Sequence, residues 1–447
     1  MSMSTVMSAA RPQLTAVLAA PVPGPRAIIP AARWEQLALR VGLIATGALA
    51  FNMALQSWQM GDIGSHPAVV GMVFVQYALA FALLVGGVMP VNAARRAAPL
   101  IAIAVLYSLA SWSYIKIEIN LRVYGTDNAA FSHVAAEKLL EGANPYQVHD
   151  RTVIEESAFR FGVPATFVTS TTDGQTLDNL MSWPAGSVLV LAPALALGLQ
   201  DMRWVVVGFE VAVIVLLWLR APAPLRPVVL LPIVVDPDLF LQFTGGGVMD
   251  FIWVLPMLFA AIALYGGRLH WSALCYGLAA GIKQQPWLLA PFLAIYLWNT
   301  RHEDPLALRA RAVAVFGAVA AAGFLALNAP FVVWGLSDWM RGVLLPFREQ
   351  LVPFGSGISL LTQTGAVGLP KDFYSAATFG VWGALILIYA LYFRSLRHAL
   401  WLAPAIIMWF GYRSLQNYYV YWIPMLLVAL IAWWEEEADA AAIAPAR

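Results

Sequence analysis

Apolar residues in this chain come in long, nearly uninterrupted runs rather than in the short alternations of soluble strands and helices. The first three lie at about 37–55, 68–90 and 98–115, and a polar interval follows them. Five more lie at 183–199, 203–220, 227–243, 248–266 and 271–298, and the last four at 312–331, 375–393, 398–412 and 418–434. Most have the ~17–25 residues that cross a hydrocarbon core. The pattern predicts an all-α polytopic membrane protein, a bundle of about 11–13 transmembrane helices. It also divides the chain. Residues 1–32 are an Ala/Pro-rich tail, 33–115 the first helices, 116–182 a polar loop with short amphipathic helices, 183–434 the membrane core, and 435–447 an acidic tail. A second polar loop, 334–374, interrupts the core.

Composition agrees. With 61% hydrophobic and 11% charged residues and a mean hydropathy of +0.72, the chain is not an ordinary soluble enzyme. A net charge of +1 gives no global field to attract nucleic acid. The single cysteine, Cys275, has no intrachain partner and sits in an apolar run, as a core thiol does. Eighteen tryptophans suit interfacial belts first and sugar stacking second.

Charge at the ends of the runs orients them. Arg26, Arg33 and Arg40 precede the first run and Arg95-Arg96 follow the second, so the N-terminus is expected in the cytoplasm and the interval 116–182 outside. Arg301, His302, Arg309 and Arg311 form a second cytoplasmic anchor. Two routes connect these points. Five simple crossings from 183 to 298 would leave Arg220, Arg226 and Arg268 outside. The alternative, which is favoured, lays 183–199 re-entrant or on the surface and splits 271–298 at Gln285-Pro286, bringing Lys283 to the external side. Broken helices are tolerated at membrane depth where they line a cavity. No internal repeat is visible, so an inverted-repeat transporter gains no support.

The polar interval carries the first candidate for chemistry. Asp127 precedes a short amphipathic helix, Ala129 to Leu140, which Gly142 and Asn144-Pro145 end. An Asp there can simply cap the helix. It can also serve as a general base at the membrane surface, with Glu118 in reserve. His133 and Glu137, one turn apart, can pair with each other, and two residues make a weak metal signature. Lys283 is a charge at membrane depth and so a functional candidate, although a lysine near a helix end can also snorkel to headgroups. Arg413 follows a run at its outer end, with Gln416, Asn417, Tyr418 and Tyr419 close behind. Asp236, Asp238 and Asp250 either line a cavity or break helices. Gly245-Gly246-Gly247 lacks the rest of a phosphate-binding loop, and Thr166 to Thr176 reads as a flexible loop or lid.

These features suggest transfer of a sugar from a lipid phosphate. Such a reaction needs a base for the acceptor hydroxyl, cations for the leaving phosphate and a greasy groove for the prenyl tail. It needs no second carboxylate, unlike most glycoside hydrolysis.

The order of motifs resembles a known family. An external Asp leads into a short helix ending Gly142-Ala143-Asn144-Pro145-Tyr146. Trp183-Pro184, Gly281-Ile282-Lys283-Gln284-Gln285-Pro286 and Asn417 to Pro424 then follow. The chain is similar here to membrane glycosyltransferases of the GT-C fold, closest to the polyprenol-phosphate-mannose-dependent mannosyltransferases (glycosyltransferase family eighty-seven). The resemblance covers roughly residues 100–434. It implies an inverting transfer, metal-independent or weakly metal-assisted, on the extracytoplasmic face of a bacterial inner membrane. Asp127 would be the catalytic base and Lys283 a donor-phosphate contact. The chain differs from the family in its extra pair of runs before the loop, in Asn417 where histidine is common, and in Trp183 where tyrosine is usual.

The reading that follows is a glycosyltransferase using a polyprenyl-phosphate-linked mannose or other hexose or pentose, with an extracytoplasmic glycan, glycolipid or protein as acceptor. Asp127 is the base, Lys283 and Arg413 hold the phosphate, and His133, Gln284, Asn417 and Tyr418 contact substrate. No cofactor is required, and a divalent metal, which the resemblance allows, finds no support in the residue pattern. A transporter or flippase of lipid-linked sugars, or a non-catalytic membrane scaffold subunit, would share several of these features.

Overall fold

The computed structural model describes residues 31–59, 66–120, 124–147, 153–161, 180–234, 243–348 and 351–443. Arg26, Asp150, Asp173, Asp178, Asp236, Asp238, Glu349, Gln350 and the Thr166 to Thr176 segment lie outside these residues, as does the tail before residue 31. The protein is an all-α polytopic membrane protein. Among the described residues, six helices are long and apolar enough to cross a membrane, and three shorter apolar stretches accompany them.

Helices α1 (Ala31–Gln59), α2 (Pro67–Val88) and α3 (Pro99–Tyr114) open the chain, and α3 runs on through a π-helical turn at Ile115–Asn120. Gln76 of α2 donates to the Ser108 hydroxyl of α3 at 3.1 Å, a polar stitch between apolar faces. Next come α4 (Asp127–Leu140), a short helix Val153–Phe161, and two short turns at Gly186–Leu189 and Ala192–Ala196. The bundle continues with α5 (Arg203–Arg220), α6 (Phe251–Tyr265), α7 (Leu269–Ala280), α8 (Ala290–Thr300) and α9 (Leu306–Val343). It ends with α10 (Lys371–Leu391), α11 (Ala403–Trp409) and α12 (Ile423–Ile443).

Several boundaries differ from the sequence expectation. α4 starts at Asp127 rather than Ala129, because the chain turns helical directly after extended Thr126. The acidic residues Glu435 to Glu437 belong to α12, which continues to Ile443 instead of ending in a tail. α9 passes the expected loop start at 334 and continues to Val343, with a kink where Gly335 leaves helical dihedrals.

Ion pairs define one end of the bundle. Arg220 of α5 forms two hydrogen bonds with Glu435 of α12, at 2.6 and 2.5 Å. Arg397 and His398 meet Glu436, and the Trp401 indole donates to the Tyr265 hydroxyl at the end of α6. The opposite end gathers Asp127, Met202, Gly245, Asp250 and Arg413. The segment 183–202 leaves from and returns to this second end. Its start is held by Gly186 N–H donating to Gly281 (2.9 Å), and its finish by Met202 N–H donating to the Tyr124 hydroxyl (3.0 Å).

The run 271–298 is broken, as its internal proline predicts. α7 stops at Ala280, a 3₁₀ turn covers Gln285–Leu289, and α8 follows. Buried Asn328 of α9 repairs the break. Its carbonyl accepts from Ala185 N–H (2.8 Å) and the Trp339 indole (3.2 Å), and its amide donates to Gly281 (3.1 Å). Asn328 thereby satisfies backbone groups that hydrocarbon would leave stranded. Asn328→Ala is expected to destabilise the folded protein by roughly 1–3 kcal/mol for each group left unsatisfied. Thermal or denaturant unfolding in detergent would measure that loss, and an unchanged midpoint would refute the role.

Candidate active site

Asp127 opens α4 as its first helical residue. The cap position belongs to Thr126, whose side chain makes no capping hydrogen bond. The Asp127 carboxylate accepts from its own N–H and that of Asn128, two donors that a helix start leaves unpaired. The residue is half-buried. Burial is the strongest influence on its carboxyl and pushes its pKa above the ordinary Asp value, while Arg413 and then Lys283 pull it back down. One carboxylate therefore lies within electrostatic reach of two cations from distant parts of the chain.

The glycine triplet seats α4. Gly247 carries φ +91°, a left-handed conformation suited to glycine, and a Cβ there would come within 2.8 Å of the Ala129 Cβ. Its carbonyl accepts from Ala129 N–H at 3.0 Å. Gly245 lies against the Lys116 stem, and its carbonyl accepts from buried Arg203 at 2.9 Å. Arg203 is itself held by Asp201. The triplet works here as a smooth surface for a helix start.

Behind it lies a charged pair. Asp250, at the start of α6, is 1% exposed, and Lys283 is 7% exposed. Lys283 Nζ stands 3.4 Å from Asp250 Oδ1. The same oxygen accepts from the Trp253 indole at 2.7 Å, and Oδ2 accepts from the Asn417 amide at 2.6 Å. Asp250 thus meets the condition for a buried carboxylate, with a counter-charge and further donors on both oxygens. Lys283 also lies 4.5 Å from the centroid of the Trp183 ring, which stacks on Phe131 of α4 at 6.0 Å. Tyr146 of the Asn-Pro-Tyr motif donates to the Trp183 carbonyl at 2.7 Å and holds that ring's backbone.

Arg413 reaches the site from a clamp. Strand β1 (Phe354–Gly355) pairs in parallel with β2 (Arg413–Ser414), with Phe354 opposite Arg413. Phe354 N–H donates to Tyr412 at 2.7 Å and Ser356 N–H to Ser414 at 2.8 Å. Gly355 has φ +140°, and a Cβ there would lie 2.6 Å from the Ser414 backbone. The polar loop after α9 therefore fixes the backbone of the residue that faces Asp127. Tyr418 lies within electrostatic reach of Arg413, Asp250 and Asp127.

The residues singled out in the sequence fall into two groups. Asp127, Lys283, Arg413, Asn417 and Tyr418 converge. Asp250, left open between cavity and helix-breaking roles, joins them as the partner of Lys283 and Asn417. Gln284 lies beside Lys283, but its amide donates to the Ser182 and Val343 carbonyls at 2.5 and 3.1 Å, bracing the start of the 183–202 segment against the end of α9.

His133 belongs to a separate network. Its Nδ1 is 2.6 Å from the Tyr124 hydroxyl and its Nε2 is 3.2 Å from Glu137. Burial lowers the pKa of its imidazole despite Glu137, so the neutral ring accepts from Tyr124 and donates to Glu137. Burial works to raise the Glu137 pKa, but its bond to Arg160 and its contact with His133 outweigh this and hold it below the ordinary value. Glu118 accepts from the Trp204 indole at 2.9 Å. No group of three or more metal-ligating side chains occurs among the described residues.

Lys283→Met would leave Asp250 as a buried charge without its counter-ion and is expected to destabilise the fold by roughly 3–5 kcal/mol. Adding Asp250→Asn should return much of that loss in unfolding measurements. If the double variant is no more stable than the single one, the pair is not what stabilises this region. Comparison with protein families, curated proteins and solved structures finds no match to the chain.

Proposed function

We propose that the protein is a membrane glycosyltransferase that moves a sugar from a polyprenyl phosphate to the hydroxyl of an extracytoplasmic acceptor. The observation that carries this reading is the convergence of one half-buried carboxylate, Asp127, with Lys283 and Arg413 at one end of an apolar bundle. The acceptor hydroxyl gives its proton to Asp127 as its oxygen bonds to the anomeric carbon. On the opposite face the bond from that carbon to phosphate oxygen breaks, and the electron pair leaves with the phosphate. Configuration at the anomeric carbon inverts.

Each group suits its task. Burial makes Asp127 a stronger base than a solvated carboxylate, while the two cations offset part of that rise. Lys283 has three N–H donors, so its contact with Asp250 leaves capacity for a phosphate oxygen. Arg413 adds a planar fork suited to phosphate. Half-buried Trp183, backed by buried Phe131, places an aromatic ring beside the ammonium, against which a sugar ring could pack.

Asp127→Asn keeps the size and the ability to accept from the first-turn N–H groups but removes the base. Transfer by purified protein in liposomes supplied with polyprenyl-phosphate sugar is expected to fall roughly 10²–10⁴-fold. Wild-type-like turnover in that variant would falsify the assignment. A flippase needs no base, so lipid-linked sugar crossing the bilayer with no product formed would favour transport instead.

The pH dependence has a definite sign. A base must be deprotonated to act, so turnover should drop as pH falls through the raised Asp127 pKa, at higher pH than for a solvated carboxylate. Arg413→Gln removes the stronger of the two cationic influences and is expected to move this acid limb further up in pH. A limb that stays put in Arg413→Gln, measured by kcat/KM across pH, would separate Arg413 from the base.

A further inference from the structure

At the other end of the bundle, among the ion-paired helix ends, a pocket of about 330 Å³ opens between the starts of α7 and α9. The two helices run side by side in the same direction. They touch closely along their middles, where a Cβ on Gly277 would lie 2.0 Å from the Ala320 carbonyl and one on Gly323 would lie 2.7 Å from the Leu274 carbonyl. Toward their first turns this contact gives way to the pocket. Its polar side holds His270, Arg301 and Arg311, and its apolar wall includes Leu308, Val315 and Phe316.

The wall faces outward. Leu308 is 48% and Val315 36% exposed, and neighbouring Trp271 is 63% exposed. On a helix long and apolar enough to cross a bilayer, such side chains are the ones that meet acyl chains. Opposing acidic groups are few and lie at the rim. Arg301 meets Asp304 at 3.4 Å, both half-exposed, and Glu303 is turned toward His302. Two guanidinium groups therefore overlook a concave surface that is apolar on its other side.

We propose that this pocket binds the headgroup of an anionic phospholipid, with its phosphate on Arg301 and Arg311 and the upper part of an acyl chain along Leu308 and Val315. A free phosphate would use the arginines but leave the exposed apolar wall unexplained. A neutral lipid would cover the wall but leave the cations unmatched. Only an amphiphile with an anionic head suits both sides, and basic pockets between helix ends at a membrane interface have that chemistry. The pocket is separated from Asp127 by the length of α7, so lipid binding here is independent of the proposed transfer.

The test measures lipid retained by the detergent-purified full-length protein by native mass spectrometry, with phosphatidylglycerol and phosphatidylcholine offered together. Phosphatidylglycerol should be retained preferentially. Arg301→Gln/Arg311→Gln should weaken its binding roughly 10- to 30-fold, whereas Arg301→Lys/Arg311→Lys, which keeps the charge, should retain most of it. Leu308→Gln/Val315→Gln should also weaken it, and millimolar inorganic phosphate should not displace it. Equal retention of the two lipids, unchanged binding in the Gln pair, or displacement by phosphate with the apolar-wall variant unaffected would each overturn the proposal. The last result would mark a site for a soluble anion.

Discussion

Asp250 and Lys283 carry opposite charges into a part of the bundle with almost no exposed surface, and the arrangement of the site depends on how that cost is met. Either charge alone would be prohibitive among apolar helices. Together they come within 3.4 Å, and Trp253 and Asn417 each donate to one of the carboxylate oxygens. This fixes the start of α6, the break after α7 and the turn before α12 relative to one another. The buried lysine is thus positioned by a carboxylate from the start of a different helix.

A second constraint acts on Asp127. The first turn of α4 sits on bare backbone at Gly245 to Gly247, and the far side of the same helix is held through His133 to Tyr124 and through Glu137 to Arg160. One face of the helix thus presents Asp127 to the cations while the other is tied down by neutral and ionic hydrogen bonds. The two networks do different work on one fourteen-residue element.

Much of this was legible from the chain itself, because hydrocarbon leaves so few ways to satisfy a backbone. Uninterrupted apolar runs announce helices, and Pro286 announces a break, since it lacks the N–H that a helix requires. Asp127, Lys283 and Arg413 stood out as charges next to apolar runs. Harder to read were contacts between residues far apart in sequence. For Asp250 the chain left cavity lining and helix breaking equally open, because no local pattern links it to Asn417 and Lys283, which lie against it. The triplet at 245–247 matched a phosphate loop in composition alone, and its partner, the start of α4, lies more than a hundred residues earlier. His133 and Gln284 looked like substrate contacts because polar side chains beside a candidate site invite that reading. In the fold the His133 ring nitrogens meet Tyr124 and Glu137, and the Gln284 amide nitrogen donates to two backbone carbonyls.

The parallel pairing of Phe354–Gly355 with Arg413–Ser414 has an evolutionary consequence. The backbone of Arg413 is held in register by main-chain hydrogen bonds, which most side-chain replacements in the loop leave intact. Proline at a donating position, or any Cβ at Gly355 or Gly357, is the change that would break it. Elsewhere the loop can drift in composition while the backbone of Arg413 stays where the pairing puts it.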